Sequence, residues 1–127
     1  MERLELRCSD TIRAMETLKE ILDEPFSVIV RDATTQRFEY TFEALWKFLK
    51  EYLKEREGLI CNSPKSCFRK LLLLEMITEE VTVKFLEMTD DRNMTSQTYK
   101  EEVSKGLYEK MQNHYILMEK LMNKIAV

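Results

Sequence analysis

The chain has 127 residues and a mass of 15.3 kDa, with 44% hydrophobic residues, 34% charged residues and a net charge of −3. This profile is typical of a soluble globular protein, and we expect one domain over residues 1–127. Only two glycines, Gly58 and Gly106, are present, whereas tight hairpins and glycine-rich phosphate loops need more. The composition therefore excludes P-loop and Rossmann fingerprints and predicts an all-α fold. The lack of a basic excess also gives no sign of a nucleic-acid surface.

The cysteine and histidine content limits the classes of site. Three cysteines without a CxxC pair, Cys8, Cys61 and Cys67, predict reduced thiols and a reducing compartment rather than a disulfide framework. A single histidine, His114, excludes His-rich zinc sites and paired Glu-x-x-His di-iron sites. No apolar signal-peptide core is visible, and the apolar run Leu71–Leu74 is far below the ~20 residues that span a membrane. We therefore expect a cytoplasmic protein with no metal and no membrane contact.

The first two helices are predicted from apolar residues at three- and four-residue steps. The first stripe runs from Leu4 to Leu22, and Pro25 follows its end. The second and longest helix is expected from about Ser27 to Glu57, with Gly58 just beyond it. Although Val28–Val30 resembles a strand locally, three residues cannot form a sheet alone, so we interpret them as the start of this helix.

The third and fourth helices are predicted from capping residues. Ser63 and Pro64 suit the N-cap and the first helical position, and the helix is expected to run to about Met76. A short helix then follows Thr78, whose next two residues are acids that favour a helix N-terminus. This short helix is expected to pass Met88.

The last helix completes the predicted architecture. Asp90–Ser96 is polar and is predicted to be a turn. Thr98 and Glu101 have the spacing of a capping box, and they precede the strongest apolar stripe of the chain: Val103, Leu107, Met111, Tyr115, Met118, Met122 and Ile125. Four main helices with short connections predict an up-and-down antiparallel four-helix bundle with an extra short helix.

Two polar segments offer candidate binding residues. One face of the second helix carries polar side chains at three- and four-residue steps: Gln36, Glu39, Glu43 and Lys47. This face is either solvated or a polar groove for a ligand or partner. Asp90–Tyr99 is either a polar turn or a binding site, in which Arg92 supplies a planar fork for phosphate or carboxylate and Tyr99 a hydroxyl. We interpret His114, beside the apolar stripe, as a satisfied core or edge histidine rather than a catalyst.

Two long segments, taken together, resemble a known family. Arg31–Lys47 is similar to the signature helix of nucleotidyltransferase substrate-binding proteins, a branch of the HEPN superfamily. Phe85–Met88 followed by Asp91–Tyr99 resembles the second signature of that family. The resemblance implies a compact helical bundle that forms a homodimer and works with a small, separate nucleotidyltransferase. ATP, Mg²⁺ and the metal-binding carboxylates would belong to that partner, so this chain would have no intrinsic cofactor and would supply a substrate groove.

The resemblance also suggests a modification site. Related pairs behave as toxin–antitoxin systems, in which the HEPN protein is a ribonuclease with an Arg-x4-His motif. The partner silences it by attaching AMP to the tyrosine two residues after that histidine. On this chain the arginine corresponds to Arg92, the histidine position to Gln97 and the AMP acceptor to Tyr99. Glutamine has no proton that titrates near pH 7, and His114 lies 17 residues further on, about 25 Å along a helix. We therefore expect weak or absent ribonuclease activity.

Contacts to a substrate, nucleotide or RNA are expected from Arg92, Asn93, Gln97, Gln36, Glu39 and Glu43, with Tyr99 as the modification acceptor. If Arg92 lies across from the polar face of the second helix, the two signatures face one groove. Three functions stay open: a non-catalytic subunit of a two-component nucleotidyltransferase, a ribonuclease toxin, and a helical interaction module without nucleotide chemistry. Helices rich in methionine and aromatic residues leave apolar surface for a homodimer.

Overall fold

The computed structural model describes residues 2–127, which form five α-helices and no strand. The helices are α1 Glu2–Leu22, α2 Val28–Glu57, α3 Pro64–Leu73, α4 Glu79–Met94 and α5 Glu101–Ile125, and a 3-10 turn, Thr95–Gln97, follows α4. The all-α helical bundle predicted from the sequence is confirmed. In this part of the chain, no helix combines the length and the apolar composition needed to cross a bilayer.

The pair formed by α1 and α2 is antiparallel. The hydroxyls of Thr17, late in α1, and Tyr40, early in α2, lie 2.7 Å apart. At the other end of the pair, Arg3 lies 3.6 Å from Glu51. Contacts between late and early residues show that the chain reverses direction at the loop before α2.

The pair formed by α4 and α5 is antiparallel as well. Asp91, near the end of α4, contacts His114 in the middle of α5, whereas Lys124 donates to the carbonyl of Met76, just before α4. The short extra helix is α3, which has 10 residues, and not α4, which has 16. The sequence pattern is therefore correct about the number of helices but wrong about which of them is short.

The helix ends follow the capping residues of the sequence. Ser27, Ser63 and Thr78 each accept, at the side-chain hydroxyl, a hydrogen bond of 3.0–3.2 Å from the backbone N–H three residues later. Gly58 ends α2 in the left-handed conformation, with φ of 66°, which glycine adopts without a Cβ penalty. The start of α2 at Val28 also confirms that the strand-like triplet begins a helix.

The predicted turn at Asp90–Ser96 is wrong, because α4 continues to Met94. Its polar side chains find partners on neighbouring helices. The carboxylate of Asp90 lies 2.6 Å from the ammonium of Lys65, and Asp91 is buried against α5. Polar residues with such partners extend a helix as well as apolar ones do, and spacing along the chain alone does not reveal the partners.

The predicted capping box at Thr98 and Glu101 does not form. The residue before α5 is Lys100, which makes no side-chain cap hydrogen bond. Ser104 donates its hydroxyl to the carbonyl of Thr98, while the carboxylate of Glu101 lies 2.7 Å from Arg31 on α2. The side chain that would have closed the box is therefore engaged with another helix.

One apolar core lies between the helices. Five phenylalanines from α2, α3 and α4 are at most 1% exposed: Phe38, Phe42, Phe48, Phe68 and Phe85. The rings of Phe68 and Phe85 stack with centroids 4.4 Å apart and join α3 to α4. The stripe of α5 faces this core from Leu107 to Ile125, with Val103 half-buried at its edge. Burial of side chains this large contributes roughly 1.5–3 kcal/mol each.

Cys61 and Cys67 form a disulfide, so the prediction of reduced thiols is wrong for this pair. The loop after α2 folds back on the first turn of α3 and brings the two Cα atoms to 5.3 Å, within the range that a disulfide spans. Both residues are buried, and of the three cysteines Cys8 alone is free. The cysteine count therefore gives no support for a reducing compartment, and the cytoplasmic localisation stays a prediction.

Candidate functional site

One face of α2 carries four polar side chains at four-residue steps: Arg31, Thr35, Glu39 and Glu43. This spacing keeps them on one side of the helix. Arg31 is only 7% exposed, and its guanidinium contacts Glu101 at 2.7 Å and Asp32 at 3.4 Å. The hydrogen bond with Glu101 raises the pKa of Arg31 above its usual range. A fixed cation therefore stands near the start of this polar face.

Arg92 of α4 lies against the same face of α2. Its guanidinium is 4.0 Å from Glu39 and 3.7 Å from Glu43. Nη1 also donates to the hydroxyl of Thr95 at 3.3 Å, whereas Nε is buried without a hydrogen-bond partner. These separations are longer than those of a bidentate arginine–carboxylate pair, about 2.7–2.9 Å. Arg92 is therefore held by charge but retains donor capacity.

A cavity of about 520 Å³ opens beside this pair, between α2 and the connection that leads to α5. We call it the α2 cavity, and its lining residues are Arg31, Asp32, Thr35, Gln36, Glu39, Thr98 and Tyr99. Tyr99 is 79% exposed, and the ammonium of Lys100 lies 5.8 Å from its ring centroid. The structure thus brings together Gln36, Glu39 and Tyr99 of the candidate residues, with Arg92 and Glu43 adjoining them through Glu39.

Two other candidate residues lie apart from the α2 cavity. Asn93 is exposed, and its backbone carbonyl accepts a hydrogen bond of 3.3 Å from Ser96. The amide nitrogen of Gln97 lies 3.8 Å from the sulfur of Met94, and its amide oxygen accepts from Lys100 at 3.4 Å. Neither side chain lines the cavity. The backbone carbonyl of Asn93 and the side chain of Gln97 make contacts within and around the 3-10 turn instead.

His114 belongs to a buried charge cluster on the other side of α4. Its Nε2 lies 2.7 Å from Oδ2 of Asp91, and its ring stacks on Phe38 with centroids 5.5 Å apart. Because a carboxylate only accepts hydrogen bonds, Nε2 carries the proton and donates it. Lys110 donates to the other oxygen of Asp91 at 3.1 Å. The interpretation of His114 as a satisfied core histidine is confirmed.

The pKa of Asp91 results from opposing causes. Burial raises it, but the hydrogen bonds from His114 and Lys110 outweigh burial and hold it below its ordinary value of 3.8. Asp91 is 8% exposed. The carboxylate is therefore a stable anion that fixes both of its partners.

Reasoning from the sequence misses Asp91 and its partner Lys110, and it misses four residues that line the α2 cavity: Arg31, Asp32, Thr35 and Thr98. Arg31 and Thr35 carry a usable signal, because they precede Glu39 and Glu43 at the same four-residue step. Asp91 carries none, since the polar stretch around it has the pattern of a turn. A four-residue series of polar side chains on a long helix is thus the pattern that would have identified the buried wall of the α2 cavity.

The α2 cavity is suited to binding and orienting a polar molecule. It offers carboxylates, a hydroxyl and an amide beside a fixed guanidinium, and it presents one exposed phenol at its rim. Within residues 2–127, no group of three or more His, Cys, Asp and Glu side chains is placed to hold a metal ion.

Comparison with known proteins gives a consistent result. Residues 6–126 match the sequence model of the family described as nucleotidyltransferase substrate binding protein like. A crystal structure of a protein from Thermus thermophilus is similar to this chain, with 39% sequence identity and a TM-score of 0.86. The similarity covers 90% of this chain and 97% of the Thermus protein. A search of curated proteins found no match.

Proposed function

This chain belongs to the nucleotidyltransferase substrate-binding family, and from this premise we propose that it is the substrate-binding, non-catalytic subunit of a two-component nucleotidyltransferase. A separate minimal nucleotidyltransferase supplies ATP, Mg²⁺ and the catalytic carboxylates. The α2 cavity holds the substrate, and Tyr99 is the residue that accepts AMP. The pair is of the toxin–antitoxin type.

The observation that carries this proposal is the contact of Arg92 with Glu39 and Glu43 beside an exposed Tyr99. Residues from two segments far apart in sequence converge on one cavity, which a merely solvated helix face does not require. A phosphate that displaces the carboxylates from Arg92 gains charge-assisted hydrogen bonds from its guanidinium.

The chemistry at Tyr99 is a nucleotidyl transfer to oxygen. The phenol oxygen attacks the α-phosphorus of ATP, a new P–O bond forms, and the bond to the departing pyrophosphate breaks. The phenol proton passes to a base on the partner. Because a free phenol has a pKa of about 10, it is a weak nucleophile unaided. This chain therefore contributes presentation of the phenol, and activation comes from the partner.

Intact-mass spectrometry tests this proposal directly. The chain is incubated with ATP, Mg²⁺ and the minimal nucleotidyltransferase encoded beside it, and added adenylyl mass is measured. We expect the adduct on the unaltered chain and its loss in Tyr99→Phe. Tyr40→Phe is the matched control, since Tyr40 is also exposed but lies on α2, away from the cavity lining. Equal adducts in both variants would exclude Tyr99 as the acceptor.

A second experiment separates the subunit from the ribonuclease alternative. The histidine position of the ribonuclease motif is occupied by Gln97, and His114 is bonded to Asp91 instead. We expect no RNA cleavage by the unaltered chain and a gain of cleavage in Gln97→His. Efficient cleavage by the unaltered chain would favour the ribonuclease. An interaction module without nucleotide chemistry predicts that Arg92→Ala and Tyr99→Phe change nothing except stability.

We also propose that the chain forms a homodimer. Large apolar side chains are exposed around the start of α2, where Ile29 is 82%, Phe26 64% and Val28 55% exposed. Exposed apolar residues next to one another favour burial in an interface. Light scattering at micromolar concentration is expected to give the dimer mass, and a monomer at that concentration would contradict the proposal.

A further inference from the structure

A second cavity, of about 490 Å³, lies between α4 and α5. We call it the lysine cavity, because Lys84, Lys110 and Lys120 line it. Of the described residues in its lining, Glu87 alone carries a carboxylate. Its lining residues carry three ammonium groups and one carboxylate, whereas those of the α2 cavity carry one guanidinium and two carboxylates. The proposed function makes no use of the lysine cavity.

The polar wall of the lysine cavity is rigidly built. The side chain of His114, nine-tenths buried, forms part of the lining. Asp91 stands beside it and bonds both His114, at 2.7 Å, and Lys110, at 3.1 Å. Asp91 is buried, whereas the side chain of Lys110 is 56% exposed, so the fold fixes the carboxylate of this pair and the ammonium stays accessible. An ammonium that a fixed carboxylate already positions loses less conformational entropy when it binds an anion.

The other two lysines differ in their partners. Lys84 lies 3.6 Å from Glu80 in an exposed pair along α4, which is a weak interaction. Lys120 forms no ion pair with any of residues 2–127. Its charge is therefore available to a ligand without breaking an existing contact.

We propose that the lysine cavity binds the phosphate group of a small phosphomonoester. Lysine ammonium groups are effective phosphate ligands, and the cavity volume lies in the range of small-molecule sites. Ile116 and Leu117 add an apolar wall to the same cavity, which suits the base or sugar of a nucleoside monophosphate. The phosphate is the shared recognition element, whether it comes from inorganic phosphate or from a nucleotide.

Isothermal titration calorimetry at low ionic strength tests this site with three probes: inorganic phosphate, AMP and adenosine. We expect AMP to bind and adenosine not to bind. Binding of inorganic phosphate as well would show that the phosphate group suffices, and binding of AMP alone would show that the nucleoside contributes; both support the site. We expect Lys120→Gln to weaken AMP binding about tenfold, the loss of one charge-assisted contact.

Matched variants locate the binding. Lys105→Gln removes an exposed lysine of α5 that does not line the cavity and is expected to leave the affinity unchanged. Arg92→Ala alters the proposed α2 site, so it distinguishes AMP binding at the α2 cavity from AMP binding at the lysine cavity. Equal affinity for adenosine and AMP, no AMP binding at millimolar concentration, or unaltered binding in the Lys84→Gln/Lys120→Gln double variant would overturn the proposal. Loss of AMP binding in Arg92→Ala alone would move the site to the α2 cavity and also overturn it.

Discussion

The α2 cavity and the lysine cavity adjoin different faces of α4 and differ in the charges of their lining residues. Each is bordered by an α4 residue of the contrary sign: Arg92 faces the glutamates of α2, and Asp91 faces the lysine and histidine of α5. Successive residues of a helix are about 100° apart, so two neighbours in sequence serve two separate sites. The difference is one of burial, since Asp91 is 8% exposed whereas the Arg92 side chain is 27% exposed. The α4 residue beside the lysine cavity is thus fixed by burial, whereas the α4 residue beside the α2 cavity is free enough to move when a ligand binds.

The largest expected effect comes from removing a core side chain that lies next to one lining residue of each cavity. Phe38 is fully buried on α2, beside Glu39, and its ring supports His114. Phe38→Ala should lower the free energy of unfolding by about 3–5 kcal/mol, and both cavities should lose ligand binding together. Chemical denaturation measures the stability. Leu6→Ala, at a residue 59% exposed, is the control and should cost much less.

A smaller effect is expected at Asp91, the buried α4 residue beside the lysine cavity. Asp91→Asn removes the charge that bonds His114 and Lys110 and should destabilise the fold by about 1–3 kcal/mol. Because the pKa of Asp91 in the fold lies below its ordinary value of 3.8, its stabilising contribution is present above that value. The contribution is lost as the pH falls through the folded pKa. Denaturant titrations between pH 7 and pH 2 should therefore show a shallower acid loss in Asp91→Asn.

The neighbour of Asp91 provides the control for that experiment. Asp90 is paired with Lys65 at 2.6 Å, but its side chain is 62% exposed. Asp90→Asn should change stability by about 0–1 kcal/mol, as exposed pairs do. If the two variants lose equal stability and keep equal acid profiles, the buried cluster does not have the stabilising role that its contacts indicate.

An intermediate effect on stability, with no effect on ligand binding at either cavity, is expected at the start of α4. Thr78 caps this helix by accepting from the N–H of Val81 at 3.1 Å. Thr78→Ala should lower stability by about 1 kcal/mol without changing the affinity of either cavity, because both lie away from this first turn. Thermal unfolding gives the stability change, and ligand titration gives the affinities. A selective loss at one cavity would show that the helix start belongs to that site.

The smallest effect on stability is expected at Arg92, the partly exposed α4 residue beside the α2 cavity. Arg92→Gln removes a partly exposed pair with Glu39 and Glu43, so the free energy of unfolding should fall by about 0–1 kcal/mol. The proposed adenylylation of Tyr99 should nevertheless decline, because the guanidinium that adjoins the cavity through Glu39 is no longer there to bind a phosphate. Intact-mass spectrometry over a time course measures that decline. A large loss of stability with unaltered adenylylation would show that Arg92 stabilises the fold and does not bind the phosphate.

Local sequence patterns predict most of the helices but few of the contacts between one helix or loop and another. The stripe from Leu107 to Ile125 and the cap at Ser63 depend only on neighbouring residues, so spacing is enough. The end of α4 is missed because Asp90 looks like a turn residue until its partner on α3 is known. The bond between Cys61 and Cys67 depends on the path of the preceding loop, which no spacing rule specifies.

The candidate site shows the same division. The family signatures identify Gln36, Glu39 and Tyr99, which share the α2 cavity, because a motif carries information on residues that meet in space. Gln97 falls within the same signature, yet its side chain contacts Met94 and Lys100. A motif identifies which segment contributes to a site. The geometry of the 3-10 turn then decides which side chains of that segment face the site.

Because Asp91 and Arg92 are adjacent in the chain, α4 is held at one point by contacts to both α2 and α5. A turn of the helix about its axis that relaxes the contact with α2 also displaces the carboxylate that holds α5, since both side chains rotate through the same angle. A ligand that turned α4 at one cavity would therefore change the affinity of the other, and thermodynamic linkage would make this influence equal in both directions. A single step along the chain thus places the contacts to α2 and to α5 on one rigid element.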